Sequence, residues 1–144
     1  MEVNDITEKI IGCSVKVHTA LGPGLFEQVY KQCLVYELKL NSLETQAEVP
    51  IKITYGDELI ECGYRADLLV ENQVIVELKA CEQVSKLHQR QLLTYLRLLD
   101  KQVGLLINFN SNYLSQGIHR IVHNYHGPKP QRPPPSPLFR ESNP

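Results

Sequence analysis

The sequence predicts a single α/β domain in which helices flank a mixed central β-sheet. Apolar residues recur at helical spacing in three segments and alternate or run together in four strand-like segments. These segments follow one another in the order helix, helix, three strands, helix, strand. With 144 residues, 42% of them hydrophobic, the chain is long enough to bury a core.

The first two helices are predicted over residues 6–21 and 25–40, separated by a Gly-Pro-Gly turn at 22–24. Each has an apolar stripe: Ile6, Ile10, Cys13, Val17 and Leu21 in the first, and Phe26, Val29, Cys33, Leu34 and Leu38 in the second. Both helices are therefore expected to lie with one face on the sheet.

Three strands follow. In the first, Val49, Ile51 and Ile53 alternate with polar residues, and Pro50 favours a position at the sheet edge. A turn at 55–58 leads into a second strand over 59–70, in which Gly63 predicts a bulge or kink. A tight turn at Glu71-Asn72 leads to the third strand, over 73–80, whose dense apolar run predicts a central position.

The third helix is predicted over 84–99, and a short apolar strand over 103–109. A strand, a helix and a second strand in this order form a right-handed crossover between parallel strands. The sheet is therefore expected to contain both parallel and antiparallel neighbours.

Composition restricts the function class. No apolar run is long enough to span a membrane, and the amino terminus lacks a signal-peptide pattern, so we expect a cytoplasmic protein. The four cysteines have neither zinc-ligand nor disulfide-scaffold spacing. A formal net charge of −1 argues against strong sequence-independent binding of nucleic acid.

Composition changes at Gly127, since seven of the nine prolines lie between Pro128 and Pro144. The segment 127–144 is expected to form a disordered or polyproline II tail. Its P-x-x-P spacing at 134–137 could engage an aromatic groove on a protein partner.

Three charged residues form the candidate site. Asp67 lies in the second strand, and Glu77 and Lys79 lie in the third, where alternation places them on one face. A hairpin through Glu71 and Asn72 would bring Asp67 across the ladder to Glu77. Two converging carboxylates suit Mg²⁺ or Mn²⁺, and a neighbouring lysine can orient a water for attack on phosphorus.

Each candidate also has a plainer interpretation. Glu77 and Lys79 could form a surface ion pair, although a central apolar strand is a costly place for charges without a role. Glu27 begins the second helix, where the helix dipole alone favours a carboxylate. Gln91 and Tyr95 share a face of the third helix, where they could be polar flanks of an amphipathic helix.

The motifs resemble those of a known superfamily. Asp67, nine intervening residues and then Glu77-Leu78-Lys79 resembles the Asp…(Asp/Glu)-x-Lys signature of the PD-(D/E)xK nucleases. The segment 24–30 resembles the Gly-x-x-Glu-x-x-Tyr motif of the GxxExxY family in that superfamily. The resemblance covers about residues 6–125. It departs from the full signature at Ala66, where a proline would precede Asp67, although that proline is often absent in the superfamily.

The resemblance implies a restriction-endonuclease-like core over residues 1–126, with Asp67 and Glu77 as metal ligands. Lys79 would position the nucleophilic water, and Glu27 would match the helical acidic residue that joins the metal site in some branches. Gln91 and Tyr95 resemble the Gln-x-x-x-Tyr motif that contacts nucleic acid in the exonuclease-like branch. His18 and Tyr30 match family positions to which the sequence assigns no role.

The resulting expectation is a Mg²⁺- or Mn²⁺-dependent nuclease that acts on DNA, for example on ends or single strands. The alternative is a catalytically silent module on the same fold, which binds nucleic acid or a protein for regulation. Near-neutral charge and small size favour that alternative.

Overall fold

The computed structural model describes residues 1–132 and 135–139. The elements in chain order are α1 (Val3–Leu21), α2 (Glu27–Leu40), β1 (Thr45–Tyr55), β2 (Glu58–Val70), β3 (Val74–Lys79), α3 (Lys86–Leu99), β4 (Val103–Asn108), a 3₁₀ turn (Leu114–Gly117) and β5 (Ile118–Val122).

The five strands form one mixed sheet in the order β1-β2-β3-β4-β5. Strands β3 and β4 are parallel and are connected through α3, whereas the other neighbours are antiparallel. This arrangement confirms the predicted α/β class, the edge position of the strand that contains Pro50 and the central position of β3. The most apolar strands, β3 and β4, are buried over nearly their whole length.

The helices divide between the two faces of the sheet. Helices α1 and α2 cover one face, where their apolar stripes pack on Leu68, Val76 and Leu78. Helix α3 covers the other face through Leu92 and Leu96, together with Tyr95. Alternation along β3 therefore places Ile75 and Glu77 toward α3, and Val76 and Leu78 toward α1 and α2.

Turn geometry sets the register of the first three strands. Gly56 and Asp57 connect β1 to β2, with Gly56 at φ +59°. The register then shifts between Pro50 and Lys52 of β1, opposite Gly63 at φ +77°, which confirms the predicted bulge. From β2 to β3 the ladder pairs Val70 with Val74 and Leu68 with Val76, which places Asp67 opposite Glu77.

Two features differ from the sequence prediction. Phe26 and Val29, expected in the apolar stripe of α2, are 85% and 38% exposed. The helix begins at Glu27, two residues after the predicted start, so Phe26 lies outside it. Strand β5 was not predicted, since its five half-buried or exposed residues combine isoleucine with His119 and Arg120 and show no clear alternation.

The described part of the tail lies against the domain. The Ser136 hydroxyl is buried and accepts a 2.7 Å hydrogen bond from the backbone N–H of Ser115. Leu138 forms a single antiparallel bridge with Tyr113, and the Phe139 ring packs on Gly22. The P-x-x-P spacing includes residue 134, which lies outside the described residues, so its role in binding a partner stays a prediction. The domain boundary at residue 127 also stays a prediction.

Among residues 1–132 and 135–139, no helix combines the length and apolar character that crossing a membrane requires.

Candidate active site

The β2–β3 ladder ends at Asp67 and Glu77. Each of the two carboxylates accepts a hydrogen bond from a backbone N–H of the opposite strand. Beyond the last ladder pair, the backbone N–H of Asp67 donates a 2.8 Å hydrogen bond to Oε2 of Glu77. The N–H of Leu78 donates a 2.9 Å bond to Oδ2 of Asp67. Side-chain oxygens thus replace the backbone carbonyls of a regular ladder, and the strands diverge around the carboxylate pair.

Glu77 is the more buried carboxylate, with 6% of its surface exposed. It lies on the sheet face that α3 covers. Burial, and secondly the negative charge of Asp67, raise the pKa of Glu77 to about 9. The site therefore favours either a proton on Glu77 or a cation beside it.

Asp67 faces the other way, toward α2. Leu68 packs on the α1–α2 side of the sheet while both Ala66 and Leu69 pack on the α3 side, so the alternation of faces breaks at Asp67. Asp67 consequently lines an open cleft of about 460 Å³ beneath the start of α2. The pair of carboxylates is reached from that cleft through Asp67.

An ammonium group already accompanies Asp67. Lys31, on α2, lies between the carboxylate of Glu48 and Oδ1 of Asp67, at 3.5 Å from the latter. Burial lowers the pKa of Lys31, but the hydrogen bond to Glu48 and the charge of Asp67 outweigh burial and raise it. Lys31 therefore stays charged and offsets part of the negative charge of Asp67.

Lys79 ends β3, two residues beyond Glu77 and on the same face by alternation. Its positive charge acts on Glu77 in the direction that lowers the carboxyl pKa. The backbone beyond Lys79 is fixed to β4: the buried Asn108 side chain accepts from Cys81 N–H at 3.2 Å and donates to Cys81 O at 2.8 Å. Phe109 N–H donates to Lys79 O at 2.9 Å. These bonds hold the carboxyl end of β3 in place.

Glu27 is the first residue of α2 and is exposed. It lines the same cleft as Asp67. Nevertheless, in the described part of the chain no three His, Cys, Asp or Glu residues are close enough to hold a metal ion together. The structure thus brings Asp67 and Glu77 together and places Glu27 at the cleft wall.

Tyr95 projects from α3 toward Glu77 and is buried. Burial, and secondly the charge of Glu77, raise the pKa of Tyr95 to about 12, so the phenol stays protonated. Gln91 lies one turn earlier on the same helix and is half-buried. Ser85 begins α3 as a capping box with His88. The cap fixes the start of the helix that supplies Gln91 and Tyr95.

His18 and Tyr30 shape the loop around the cleft. Tyr30 is fully buried, stacks on Phe109 at 4.7 Å between ring centroids, and donates a 2.5 Å hydrogen bond to Gly22 O. The Tyr30 hydroxyl also accepts from Leu25 N–H at 3.1 Å. The buried His18 hydrogen-bonds through Nε2 to Ser111 O at 2.7 Å. Both residues therefore hold backbone in place.

Sequence reasoning missed Lys31, Glu48 and Tyr64. Lys31 lies four residues after Glu27 on α2, and this spacing places both on one helix face, which is the signal that could have found it. Glu48 adopts φ +55°, a conformation that could not be predicted from the local sequence. Tyr64 follows the bulge glycine of β2, and its ring lies 6.3 Å from that of Tyr95.

Comparison with known proteins agrees with this geometry. A family model described as the PD-(D/E)XK nuclease superfamily matches residues 4–121, which is more than half of the chain. That range contains Glu27, Asp67, Glu77 and Lys79, and the mixed sheet with helices on both faces is consistent with a restriction-endonuclease-like core. A comparison with curated proteins gives no match.

Proposed function

The chain belongs to the PD-(D/E)XK nuclease superfamily, and from this premise we propose that it is a metal-dependent nuclease that hydrolyses phosphodiester bonds in DNA. The single observation that carries the proposal is the carboxylate pair. Asp67 and Glu77 are opposite each other at the end of the β2–β3 ladder, and Lys79 follows on the face of Glu77. Two acidic groups with a lysine nearby are the residue types that metal-dependent hydrolysis by the superfamily signature would use.

The donor set fits a hard divalent cation. Asp67 and Glu77 supply carboxylate oxygens, the ligands that Mg²⁺ and Mn²⁺ prefer. Both are held by backbone N–H groups. We propose that these two residues hold the ion, with Glu27 contributing from the cleft wall. A bound Mg²⁺ or Mn²⁺ would neutralise charge on the phosphoryl oxygens and lower the pKa of a bound water.

The protein's own groups would do the rest. We propose that Lys79 orients the attacking water and stabilises the negative charge that develops on the phosphoryl oxygens. Gln91 and Tyr95 would position the nucleic acid from α3, and the protonated Tyr95 hydroxyl is available as a hydrogen-bond donor. The site would act mainly by positioning and charge stabilisation, which is typical of phosphoryl chemistry.

Within the superfamily we propose placement in the GxxExxY branch. Gly24, Glu27 and Tyr30 occur at the spacing of that motif. Gly24 adopts φ +104°, a conformation that favours glycine, and Tyr30 fixes the loop by two hydrogen bonds. The motif thus builds one wall of the cleft in which Glu27 lies. A cytoplasmic location and a protein partner for the tail stay predictions from the sequence.

The test is cleavage of labelled single- and double-stranded DNA by the full chain with Mg²⁺ or Mn²⁺. Asp67→Asn and Lys79→Ala should each abolish cutting while circular dichroism and melting show a folded protein. Lys52→Ala is the matched control, because Lys52 is an exposed lysine on the edge strand β1, away from the carboxylates. Unchanged cutting by the Asp67 and Lys79 variants would refute the proposal.

A catalytically silent binding module is the second candidate, and one observation favours it. Lys31 already supplies a positive charge to Asp67, and the described residues assemble no three-ligand metal cluster. Isothermal titration with Mg²⁺ and Mn²⁺ separates the two functions. A chain that binds neither metal and cuts no DNA, yet retains nucleic acid or a protein partner, would be the silent module.

A further inference from the structure

Phe26 is an exposed aromatic side chain on a loop whose backbone is fixed by hydrogen bonds. It directly precedes α2 and is 85% exposed, whereas phenylalanine is usually buried. The backbone on both sides is fixed. The buried Tyr30 hydroxyl bonds to Gly22 O and Leu25 N–H, and Val29 N–H donates to Phe26 O at 3.1 Å. The exposure of the ring is therefore built into the loop and is not the result of fraying.

The Phe26 ring lies where it can contact a ligand bound in the cleft. Phe26 lines the same cleft as Asp67 and Lys31, so an exposed apolar ring adjoins a carboxylate and an ammonium group. A ligand that fills this cleft must offer a flat apolar surface to Phe26 and a polar portion to the charged residues. A nucleotide has both parts, since its base can stack while its phosphate lies near the charged groups.

A second exposed aromatic lies on the opposite side of the carboxylates. Tyr64 is 52% exposed and lies 6.3 Å from Tyr95, on the α3 side. Its position follows from the β2 bulge, where Gly63 adopts φ +77°. An aromatic ring thus stands on the α2 side of the carboxylate pair and another on the α3 side.

We infer that the substrate of this site is single-stranded DNA, or an unpaired end, with one base stacked on Phe26 and a further base on Tyr64. The inference rests on the proposed nuclease function and specifies its substrate. Bases within a duplex stack on their neighbours, so only unpaired bases can offer their faces to these rings without a cost of unstacking. A net charge of −1 agrees with binding by stacking in place of a broad basic face.

The test measures binding of labelled oligothymidylate and of a labelled duplex by fluorescence anisotropy in Mg²⁺. The parent is the full chain with Lys79→Ala, which prevents cutting during titration. Phe26→Ala should weaken binding of the single strand about 5- to 150-fold, as loss of one stacked base does. Phe26→Trp should retain binding. Duplex binding should be weaker in the parent and unchanged by either substitution.

Tyr55→Ala is the matched control. Tyr55 is 77% exposed but lies at the β1–β2 hairpin, about 30 Å along the strand from the carboxylates. Its removal should leave binding unchanged. Because stacking carries no charge, the slope of affinity against salt should also be the same with and without the Phe26 ring.

The outcomes separate this inference from the proposed function. Suppose that the wild type cuts DNA. If Phe26→Ala then leaves single-strand binding unchanged, or if the protein prefers duplex, the inference is overturned while the proposed nuclease function stands. Single-strand binding that depends on Phe26 in a wild type that cuts nothing overturns the catalytic proposal and leaves the stacking site standing.

Discussion

The backbone N–H of Asp67 donates a 2.8 Å hydrogen bond to Oε2 of Glu77, the residue opposite it across the end of the β2–β3 ladder. The reciprocal bond from Leu78 N–H to Asp67 holds the second carboxylate. Both acidic groups are therefore ordered by backbone donors before any cation binds. If the pair holds an ion as proposed, the ion would meet ligands that need little reorganisation, which would favour binding.

Metal should stabilise the folded chain. Because the ordered carboxylates exist only in the folded state, Mg²⁺ at about 100 times its Kd should add about 2.7 kcal/mol to the free energy of unfolding. That corresponds to a rise in melting temperature of roughly 5–11 °C. Differential scanning fluorimetry with Mg²⁺, and after removal with EDTA, measures the shift. Asp67→Asn should abolish it, and an equal shift in that variant would exclude Asp67 as a ligand.

Stability without metal should depend on pH through Glu77. The pKa of Glu77 is raised from 4.5 to about 9, so between these values the folded state binds more protons than the unfolded state. The contribution of this carboxyl to stability is fully present below pH 4.5 and is lost as pH rises through about 9. The slope for one proton is at most about 1.4 kcal/mol per pH unit.

Urea unfolding in EDTA between about pH 5.5 and 8.5 checks this pH dependence. Glu77→Gln keeps an oxygen to accept the Asp67 N–H bond but cannot ionise. The variant should therefore lose most of the decline seen in the wild type, whereas parallel curves for both proteins would show that Glu77 is not the responsible group.

Local periodicity was sufficient to predict the three helices and β1 to β4, but not β5, whose half-buried or exposed residues show no clear alternation. The register of Asp67 and Glu77 was also predictable, since a tight turn at Glu71-Asn72 leaves one hairpin pairing that brings them opposite. The direction of the Asp67 side chain was not predictable. It depends on the break in alternation between Ala66 and Leu68, which arises where the ladder ends.

The remaining parts of the site depend on tertiary placement. Lys31 reaches Asp67 because of how α2 lies over the sheet, and the same ammonium group contacts Glu48, which takes a left-handed conformation. Neither feature leaves a pattern in the local sequence. The exposure of Phe26 depends likewise on the residue at which α2 begins, and a two-residue error in a helix boundary assigned this ring to the core.

Removing the ammonium group of Lys31 should destabilise the metal-free protein and tighten metal binding. Its side chain is only 12% exposed, and it is the cation that accompanies Asp67. Lys31→Met should lower the free energy of unfolding in EDTA by about 1–3 kcal/mol, since it leaves carboxylates without their partner. Mg²⁺ should then bind more tightly because it no longer competes with a neighbouring positive charge.

Lys39→Met is the control for that change, since it removes the same charge from the exposed last turn of α2. It should cost no more than about 0.3–1 kcal/mol and leave metal affinity unaltered. Chemical unfolding and calorimetric titration with Mg²⁺ provide the two measurements. Weaker metal binding by Lys31→Met would contradict competition between the Lys31 ammonium group and Mg²⁺. It would mean that Lys31 promotes metal binding.

The Tyr30 hydroxyl should stabilise the loop that carries Phe26. Tyr30→Phe keeps the stack on Phe109 but removes the donor to Gly22 O and the acceptor for Leu25 N–H. Loss of one buried and one partly buried hydrogen bond should cost about 1–3 kcal/mol and loosen the cleft wall. Tyr36→Phe is the control, because Tyr36 is 63% exposed on the same helix and should change little. Urea unfolding measures the stability of both variants and of the wild type. Equal stability of Tyr30→Phe and the wild type would show that the Tyr30 hydroxyl does not stabilise the loop.

Close packing of α3 on β4 leaves no room for a methyl group at Gly104. An added Cβ there would lie 2.9 Å from Cδ1 of Leu92, which is fully buried on α3. Gly104→Ala should therefore destabilise the fold by about 1–3 kcal/mol through overpacking. Because α3 also carries Tyr95, any displacement that relieves the overlap should reduce DNA cleavage as well.

Gly12 offers the opposite case in the same chain. It lies on the exposed face of α1, where an added Cβ meets nothing within 4 Å. Gly12→Ala should stabilise by about 0.5–1 kcal/mol, because alanine loses less backbone entropy in a helix. Chemical unfolding of both variants beside the wild type tests the pair. Equal changes in the free energy of unfolding at the two glycines would show that the contact with Leu92, and hence the close packing of α3 on β4, does not determine the effect of the added methyl group.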